Sequence, residues 1–173
     1  MSLSRVRVRA GYLAGLVVLL FAAPTRESLM VGGAFAAIGE SIRLWASGHI
    51  EKTLRLATGG PYAHTRNPLY VGSVVMALGL LAATCSTISI VAGLAYLSVF
   101  YPFIIREEAE FLRSKFGAAY DAWALEVPIF FPRITPGGPR ATRYEWNRLA
   151  ANHEWRSVLG LLLLGAAMVL RLR

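Results

Sequence analysis

Apolar residues gather in long runs along this chain, and polar ones gather between them. The first run covers about Ala10 to Pro24, behind a basic leader of Arg5, Arg7 and Arg9. Others follow at about Ser28 to Gly48, Pro68 to Thr84, Thr87 to Ile105 and Trp155 to Leu170, with a tight turn near Cys85-Ser86 between the third and fourth. None alternates with the period of a strand, and an apolar run of about 20 residues predicts a membrane-crossing helix. Several runs are at or below that length, and arginines snorkelling at their ends make up the difference. The pattern predicts one all-α domain over residues 1–173, a polytopic membrane helical bundle of about five transmembrane helices. The leader, the short first run and Phe21-Ala22-Ala23 also suit a cleavable signal peptide. Because the rest of the chain reads as membrane-spanning, a retained first helix is the simpler expectation.

Two polar regions interrupt the runs, residues 49–67 and 106–154. The second opens on Arg106-Glu107-Glu108, and then Leu112, Phe116, Tyr120 and Trp123 recur at helical spacing with Arg113, Lys115 and Asp121 between them. An amphipathic helix to about Leu125 is expected, lying at the membrane interface or over the mouth of the bundle. Pro128, Pro132, Pro136, Gly137, Gly138 and Pro139 break regular structure beyond it.

Composition supports the membrane reading. Apolar residues make up 55% of the chain and charged ones 16%, against about 45–50% and 25% in soluble domains. The net charge of +8 comes from 18 basic and 10 acidic residues. The basic residues sit between apolar runs rather than along one helix face, which excludes a nucleic-acid surface and matches what membrane insertion selects. With the leader in the cytosol, Lys52, Arg55, Arg66, Arg106, Arg113, Lys115, Arg133, Arg140, Arg143, Arg148 and Arg156 share its side, and Arg26, Arg171 and Arg173 lie opposite. Both polar regions are therefore expected on the cytosolic face. The single cysteine, Cys85, offers no disulfide framework and no cysteine-based metal site, and no metal is expected.

Some charged residues need more than solubility to explain them. Glu40 and Arg43 are three apart within the second run and share one helix face, either as an ion pair that orients the helix or as lining of a substrate cavity, with His49 close behind. Gly59, Gly60 and Pro61 force a turn, and Pro68 suits the first turn of a helix that Asn67 can cap through its side chain. The free N–H groups there and Arg66 favour an anion, while Tyr62 and Tyr70 add flat faces with hydroxyl tips. Such a segment cradles a ligand bearing a carboxylate and an aromatic ring, or forms an interfacial turn with an aromatic belt. Glu107-Glu108 is either a solvated stretch of helix or a trap for a cationic group such as a sulfonium or ammonium.

The run Gly60 to Gly72, then Glu107-Glu108, then Phe116-Gly117-Ala118-Ala119-Tyr120 and Val127-Pro128 resembles the isoprenylcysteine carboxyl methyltransferase and phospholipid methyltransferase group of integral-membrane enzymes. The likeness extends from about Arg43 to Pro132. The group's usual Arg-His-Pro reads Arg66-Asn67-Pro68 here, which removes an imidazole. The resemblance implies S-adenosylmethionine as cofactor and S-adenosylhomocysteine as product, bound by segments 60–72 and 106–132. By similarity Tyr62, Arg66, Asn67, Pro68, Leu69, Tyr70, Gly72, Glu107 and Glu108 surround the cofactor, and Arg66 and Glu108 carry the chemistry. No G-x-G-x-x-G follows a strand, so the soluble dinucleotide-type fold is not used. The expected partners are membrane lipids and a lipophilic or lipid-modified acceptor, an isoprenoid or prenylcysteine-type carboxylate first and a phospholipid amine second. Glu40, Arg43 and His49 are the candidates for the acceptor's side of the site. A sterol-reductase-like NADPH enzyme and a transporter or assembly factor are the rival readings.

Overall fold

The computed structural model describes residues 3–51, 55–139 and 141–172. Lys52, Arg140 and Arg173, counted above in the charge bias, lie outside the described residues, as do the side chains of Arg5 and Arg7. The described chain is helical: α1 Leu3–Phe21, α2 Arg26–Ser47, α3 Pro68–Ala83, α4 Thr87–Phe116, α5 Ala118–Glu126, α6 Asn147–Ala151 and α7 Trp155–Val169, with a 3-10 turn over Gly60–Ala63. No strand occurs among the described residues. By length and composition α2 and α4 suffice to cross a membrane, whereas Val8–Phe21, Pro68–Ala83 and Trp155–Val169 are apolar but shorter.

One boundary differs from the reading of the sequence. The fourth run does not end at Ile105 to make way for a separate amphipathic helix. Instead α4 continues for 30 residues, about 45 Å at 1.5 Å per residue. Arg106, Glu107 and Glu108 are good helix formers, so the shift from apolar to polar composition carries no stop signal. The stop comes at Gly117, whose φ of 51° suits glycine. The amphipathic stretch is thereby divided, with Leu112 and Phe116 on α4 and Tyr120 and Trp123 on α5.

Helices α2 and α3 pack antiparallel at close range. Gly32 faces Gly79 and Gly39 faces Gly72, and a Cβ at any of the four would run into backbone of the other helix. Both pairs are seven residues apart along their helices, which keeps small residues on one stripe and lets the backbones meet. Thr25 caps α2 through a capping box with Ser28, and the Ser28 hydroxyl also donates to Ala83 O at 2.9 Å. The first helix lies along α4, where Ser89 Oγ donates to Val18 O at 3.0 Å. Beyond the end of α2, Ala46, Tyr62, Tyr120, Trp123 and Val127 form a buried cluster that joins the 3-10 turn to α5.

Candidate functional site

The turn before α3 and the proline-rich loop after α5 are bound together residue by residue. Arg66 N–H donates to Pro128 O at 2.9 Å, Arg133 N–H to His64 O at 2.9 Å, and Gly137 N–H to Ala63 O at 2.8 Å. Thr65 Oγ1 adds a bond to Phe130 O at 2.8 Å. The prolines donate no backbone bond of their own, so the loop is held through its carbonyls and the few N–H groups between them. Asn67 stands at the N-cap of α3, but its side chain does not cap the helix. Its Nδ2 donates to Ile129 O at 2.9 Å, and its carbonyl receives Tyr70 and Val71 N–H. The expectation of a side-chain cap gives way because the neighbouring loop offers that amide a better-placed acceptor.

This frame supports one wall of a cavity of about 410 Å³, formed by Tyr62, Arg66, Asn67, Leu69 and Tyr70. A second wall is α4, which contributes Glu108, Leu112 and Lys115 at intervals of four and three. Glu51 and Arg55 close a third side. Its size lies within the range of roughly 300–1,000 Å³ usual for small-molecule sites.

Charged groups of both signs line the cavity: Arg66 on one wall, Glu108 and Lys115 on α4, and Glu51 and Arg55 beside them. Arg66 donates from Nη1 to the Tyr120 hydroxyl at 3.0 Å, and its guanidinium lies 5.7 Å from the centroid of that ring. Its Nε is buried and has no hydrogen-bond partner. A buried N–H left unpaired costs about 1–3 kcal/mol, and more on a charged group. The Glu108 carboxylate lines the same cavity, while Glu107 is exposed and does not line it. Tyr62 is buried, and burial first and the Glu108 charge second hold its phenol well above the usual 10.0. It is a neutral hydroxyl at any working pH.

Other candidates fall elsewhere. Pro68 opens α3 as a buried residue behind the wall, and Gly72 packs against Gly39 and the Arg43 stem. Glu40 and Arg43 join a network with the C-terminal helix: Arg43 Nη2 meets Glu154 at 2.9 Å, its Nε meets Ser157 Oγ at 3.1 Å and Glu40 at 3.5 Å, and its Nη1 donates to Ser73 Oγ. Arg43 thus borders a separate cleft, together with Glu154 and Tyr101. His49 is buried, with Nδ1 2.9 Å from Trp45 O and its ring 5.7 Å from that of Tyr144. None of the three lines the cavity.

Glu51, Arg55 and Lys115 line the cavity without having been singled out in the sequence. Helical spacing from Glu108 points to Leu112 and Lys115, four and seven residues on. Nothing local points to Glu51, which is held at 3.4 Å by Arg148 from a distant segment. A second space, an apolar groove of about 410 Å³, lies between Val74 and Leu78 of α3 and Leu94, Leu97 and Tyr101 of α4, with Ile129 and Phe130 at one end.

The profile of the phospholipid methyltransferase family matches residues 12–119, more than half of the chain and including Arg66, Tyr70 and Glu108. Among curated proteins, the nickel-cobalt-cadmium resistance protein NccN of Alcaligenes xylosoxydans xylosoxydans is 38% identical over 109 residues, covering 61% of this chain and 49% of its own. The cobalt-zinc-cadmium resistance protein CzcN of Cupriavidus metallidurans is 39% identical over 109 residues, 61% of this chain and 48% of its own. A probable protein-S-isoprenylcysteine O-methyltransferase of Oryza sativa subsp. indica is 35% identical over 86 residues, 50% of this chain and 45% of its own. The chain spans about half the length of the curated relatives it matches. No solved structure matches it. With the match running from α1 through both walls of the cavity, the chain belongs to the phospholipid methyltransferase family.

Proposed function

We propose that this protein is an S-adenosylmethionine-dependent methyltransferase of the membrane that acts on a lipophilic acceptor, an isoprenoid or prenylcysteine-type carboxylate. The observation that carries the proposal is that Arg66 and Glu108, of opposite charge, line one cavity together with Tyr62 and Tyr70. Those groups complement a ligand that carries a carboxylate, a cationic centre and an aromatic ring. Residues 1–173 act as one domain in this reading. The charge bias supports a multi-pass arrangement with the N-terminus and the cavity on the cytosolic side.

Bound there, the cofactor supplies a methyl group on a sulfonium, activated for in-line displacement. The residues of the chain bind, orient and exclude water, a positioning task more than a chemical one. Arg66 would hold a carboxylate, and the bond from its Nη1 to the Tyr120 hydroxyl orients the guanidinium. Glu108 faces it and balances a positive centre. Tyr62, held neutral, offers a hydroxyl rather than a phenolate to the same space. The buried rings of Tyr120 and Trp123 shield the floor from water. An acid acceptor arrives already ionised and needs no base, whereas an amine acceptor would have to lose a proton to Glu108. The groove between α3 and α4, apolar and outside the cavity, suits the acceptor's tail.

Calorimetric titration of the detergent-purified protein with S-adenosylhomocysteine tests this directly. Binding that Arg66→Ala and Glu108→Gln both weaken is the expected result. A folded wild type that ignores S-adenosylhomocysteine and binds NADPH would replace the proposal with the reductase reading.

A further inference from the structure

Leu125, Phe131 and Ile134 are among the most exposed apolar side chains of this protein, at 90, 83 and 95%. Pro132, between the last two, is exposed as well. Single exposed apolar residues are ordinary on any protein, but these gather at the end of α5 and in the loop that follows it. Arg133, the charged residue among them, is tied back to its own surroundings. Its Nη1 donates to Glu126 O, beside Leu125, and its Nη2 to Thr135 Oγ1 at 3.2 Å. The loop therefore presents an apolar tip, although it lies within the polar region 106–154.

The height of that tip along the helices follows from α3 and α4. From Thr87 to Ile105, α4 is uncharged and rises about 28 Å at 1.5 Å per residue, close to the roughly 30 Å of bilayer hydrocarbon. Arg106, its first charged residue, marks where the helix leaves the hydrocarbon. The two helices run in opposite directions across the turn at Cys85-Ser86, and the rings of Tyr70 and Tyr101 meet at 5.9 Å. Asn67, three residues before Tyr70, is thus about level with Ile104, three after Tyr101, at that same boundary. Asn67 Nδ2 holds Ile129 O at 2.9 Å, and Thr65 Oγ1 holds Phe130 O at 2.8 Å. From Phe130 the chain can carry Ile134 no farther than about 14 Å. Trp45 at the end of α2 and Trp155 at the start of α7 are exposed at the same end of the bundle, as tryptophans are where helices leave lipid.

We infer that the loop 128–134, with Leu125 beside it, is a wedge that enters the lipid surface on the cavity's side of the membrane. The inference rests on the membrane reading of α4 and needs no assumption about the reaction. Apolar side chains held at the boundary between headgroups and acyl chains bury themselves about 5–10 Å into it, and Phe131, Pro132 and Ile134 are placed to do so. The loop's starting residues are already continuous with the apolar surface there, since Ile129 and Phe130 line the groove between α3 and α4. The effect extends to the cavity, because Pro128, Ile129 and Phe130 are bonded to Arg66, Asn67 and Thr65. A loop seated in lipid holds that wall at the membrane surface, where a polar ligand arriving from water meets a lipophilic one arriving from the bilayer.

The test uses the full chain in nanodiscs of phosphatidylcholine. Cys85 is exposed and is the single cysteine of the chain, so Cys85→Ser clears the background. A nitrobenzoxadiazole label is then attached in turn through Phe131→Cys, Ile134→Cys, Val99→Cys and Ser114→Cys, all at exposed positions that leave the packing alone. Val99 lies in the apolar part of α4, and Ser114 lies about 12 Å beyond Arg106 at 1.5 Å per residue. Labels at 131 and 134 should lose emission to lipids brominated near the headgroup end of the acyl chain. The label at 99 should lose most to lipids brominated deeper, and the label at 114 only to aqueous iodide. If 131 and 134 behave like 114 while lipid quenches 99, the wedge is overturned and the membrane reading stands. If no brominated lipid reaches 99, the membrane reading of α4 falls and the wedge falls with it. Blue-shifted emission at 131 and 134 that neither lipid nor iodide quenches means that protein covers the loop, a second copy or another chain, and this equally overturns a lipid partner.

Discussion

Two arginines, Arg43 and Arg66, stand in different halves of this molecule and are used in opposite ways. The guanidinium of Arg43 lies among helices α2, α3 and α7, and every nitrogen on it has a partner: Glu40 and Ser157 at Nε, Ser73 at Nη1 and Glu154 at Nη2. Arg66 lies at the cavity, tied by Nη1 to Tyr120, with Nε buried and unpaired. In sequence both look alike, a basic residue near the end of an apolar run. What distinguishes them is hydrogen-bond saturation. A saturated guanidinium has no donor left for a ligand and works for the fold, and one that lines a cavity with donors to spare has capacity for an anion.

The largest expected effect follows from breaking the saturated site. Arg43→Ala leaves Glu40 and Glu154 buried with no positive partner, at a cost of about 3–5 kcal/mol. The unfolding midpoint in detergent should fall accordingly, and α7 should detach first, as read by hydrogen exchange over 155–169. If stability held and S-adenosylhomocysteine binding vanished, the roles assigned to the two arginines would be reversed. Arg66→Ala should do the opposite. It removes one bond to Tyr120 and barely moves the midpoint, but S-adenosylhomocysteine affinity should drop by about 10–100-fold, the worth of hydrogen bonds from a charged donor. Unchanged affinity would mean that the Arg66 guanidinium has no ligand to serve.

How much of this contrast could be read from the sequence depends on distance along the chain. The helices α2, α3 and α7 fall within about two residues of the apolar runs that announced them, because composition and Gly/Pro punctuation are local signals. The continuation of α4 past Ile105 was missed for the same reason, since polarity changed there and helix propensity did not. Tyr62, Arg66, Asn67, Leu69, Tyr70 and Glu108, named together in the sequence, line one cavity. Gly72 and Glu107 do not, because residues adjacent in a helix point about 100° apart and a motif does not say which of them faces inward. The saturation of Arg43 was beyond reach altogether. Its partner Glu154 lies 111 residues away and Ser157 lies 114 away, and only the docking of α7 brings them to it.

The glutamate pair sharpens the comparison at the other wall. Glu108 lines the cavity with Arg66, and Glu107 is exposed and does not line it. Glu108→Gln keeps shape and removes charge, and should weaken S-adenosylhomocysteine binding less than S-adenosylmethionine binding, since only the latter carries the sulfonium. A loss of about tenfold for S-adenosylmethionine corresponds to one charge-assisted contact. Glu107→Gln should change neither. Equal losses in the two variants would mean that the carboxylates act through general electrostatics and not through contact.

The smallest effect concerns Tyr62, which is buried more fully than Arg43 and lines the cavity with Arg66. Burial, then Glu108, raises its phenol well above 10.0. In the unfolded chain the group releases its proton near the ordinary value of about 10, while in the folded protein it keeps it. Between those two points the unfolded state holds fewer protons, so stability falls as pH rises. Below about pH 10 both states are neutral and Tyr62 contributes no pH dependence. The unfolding midpoint of the wild type should therefore decline more steeply above that pH than the midpoint of Tyr62→Phe, and the two curves should run parallel below it. Tyrosines and lysines elsewhere cancel in the difference. Parallel curves throughout would mean that the Tyr62 hydroxyl reaches solvent, and the floor of the cavity would then be wet rather than sealed by Tyr120 and Trp123.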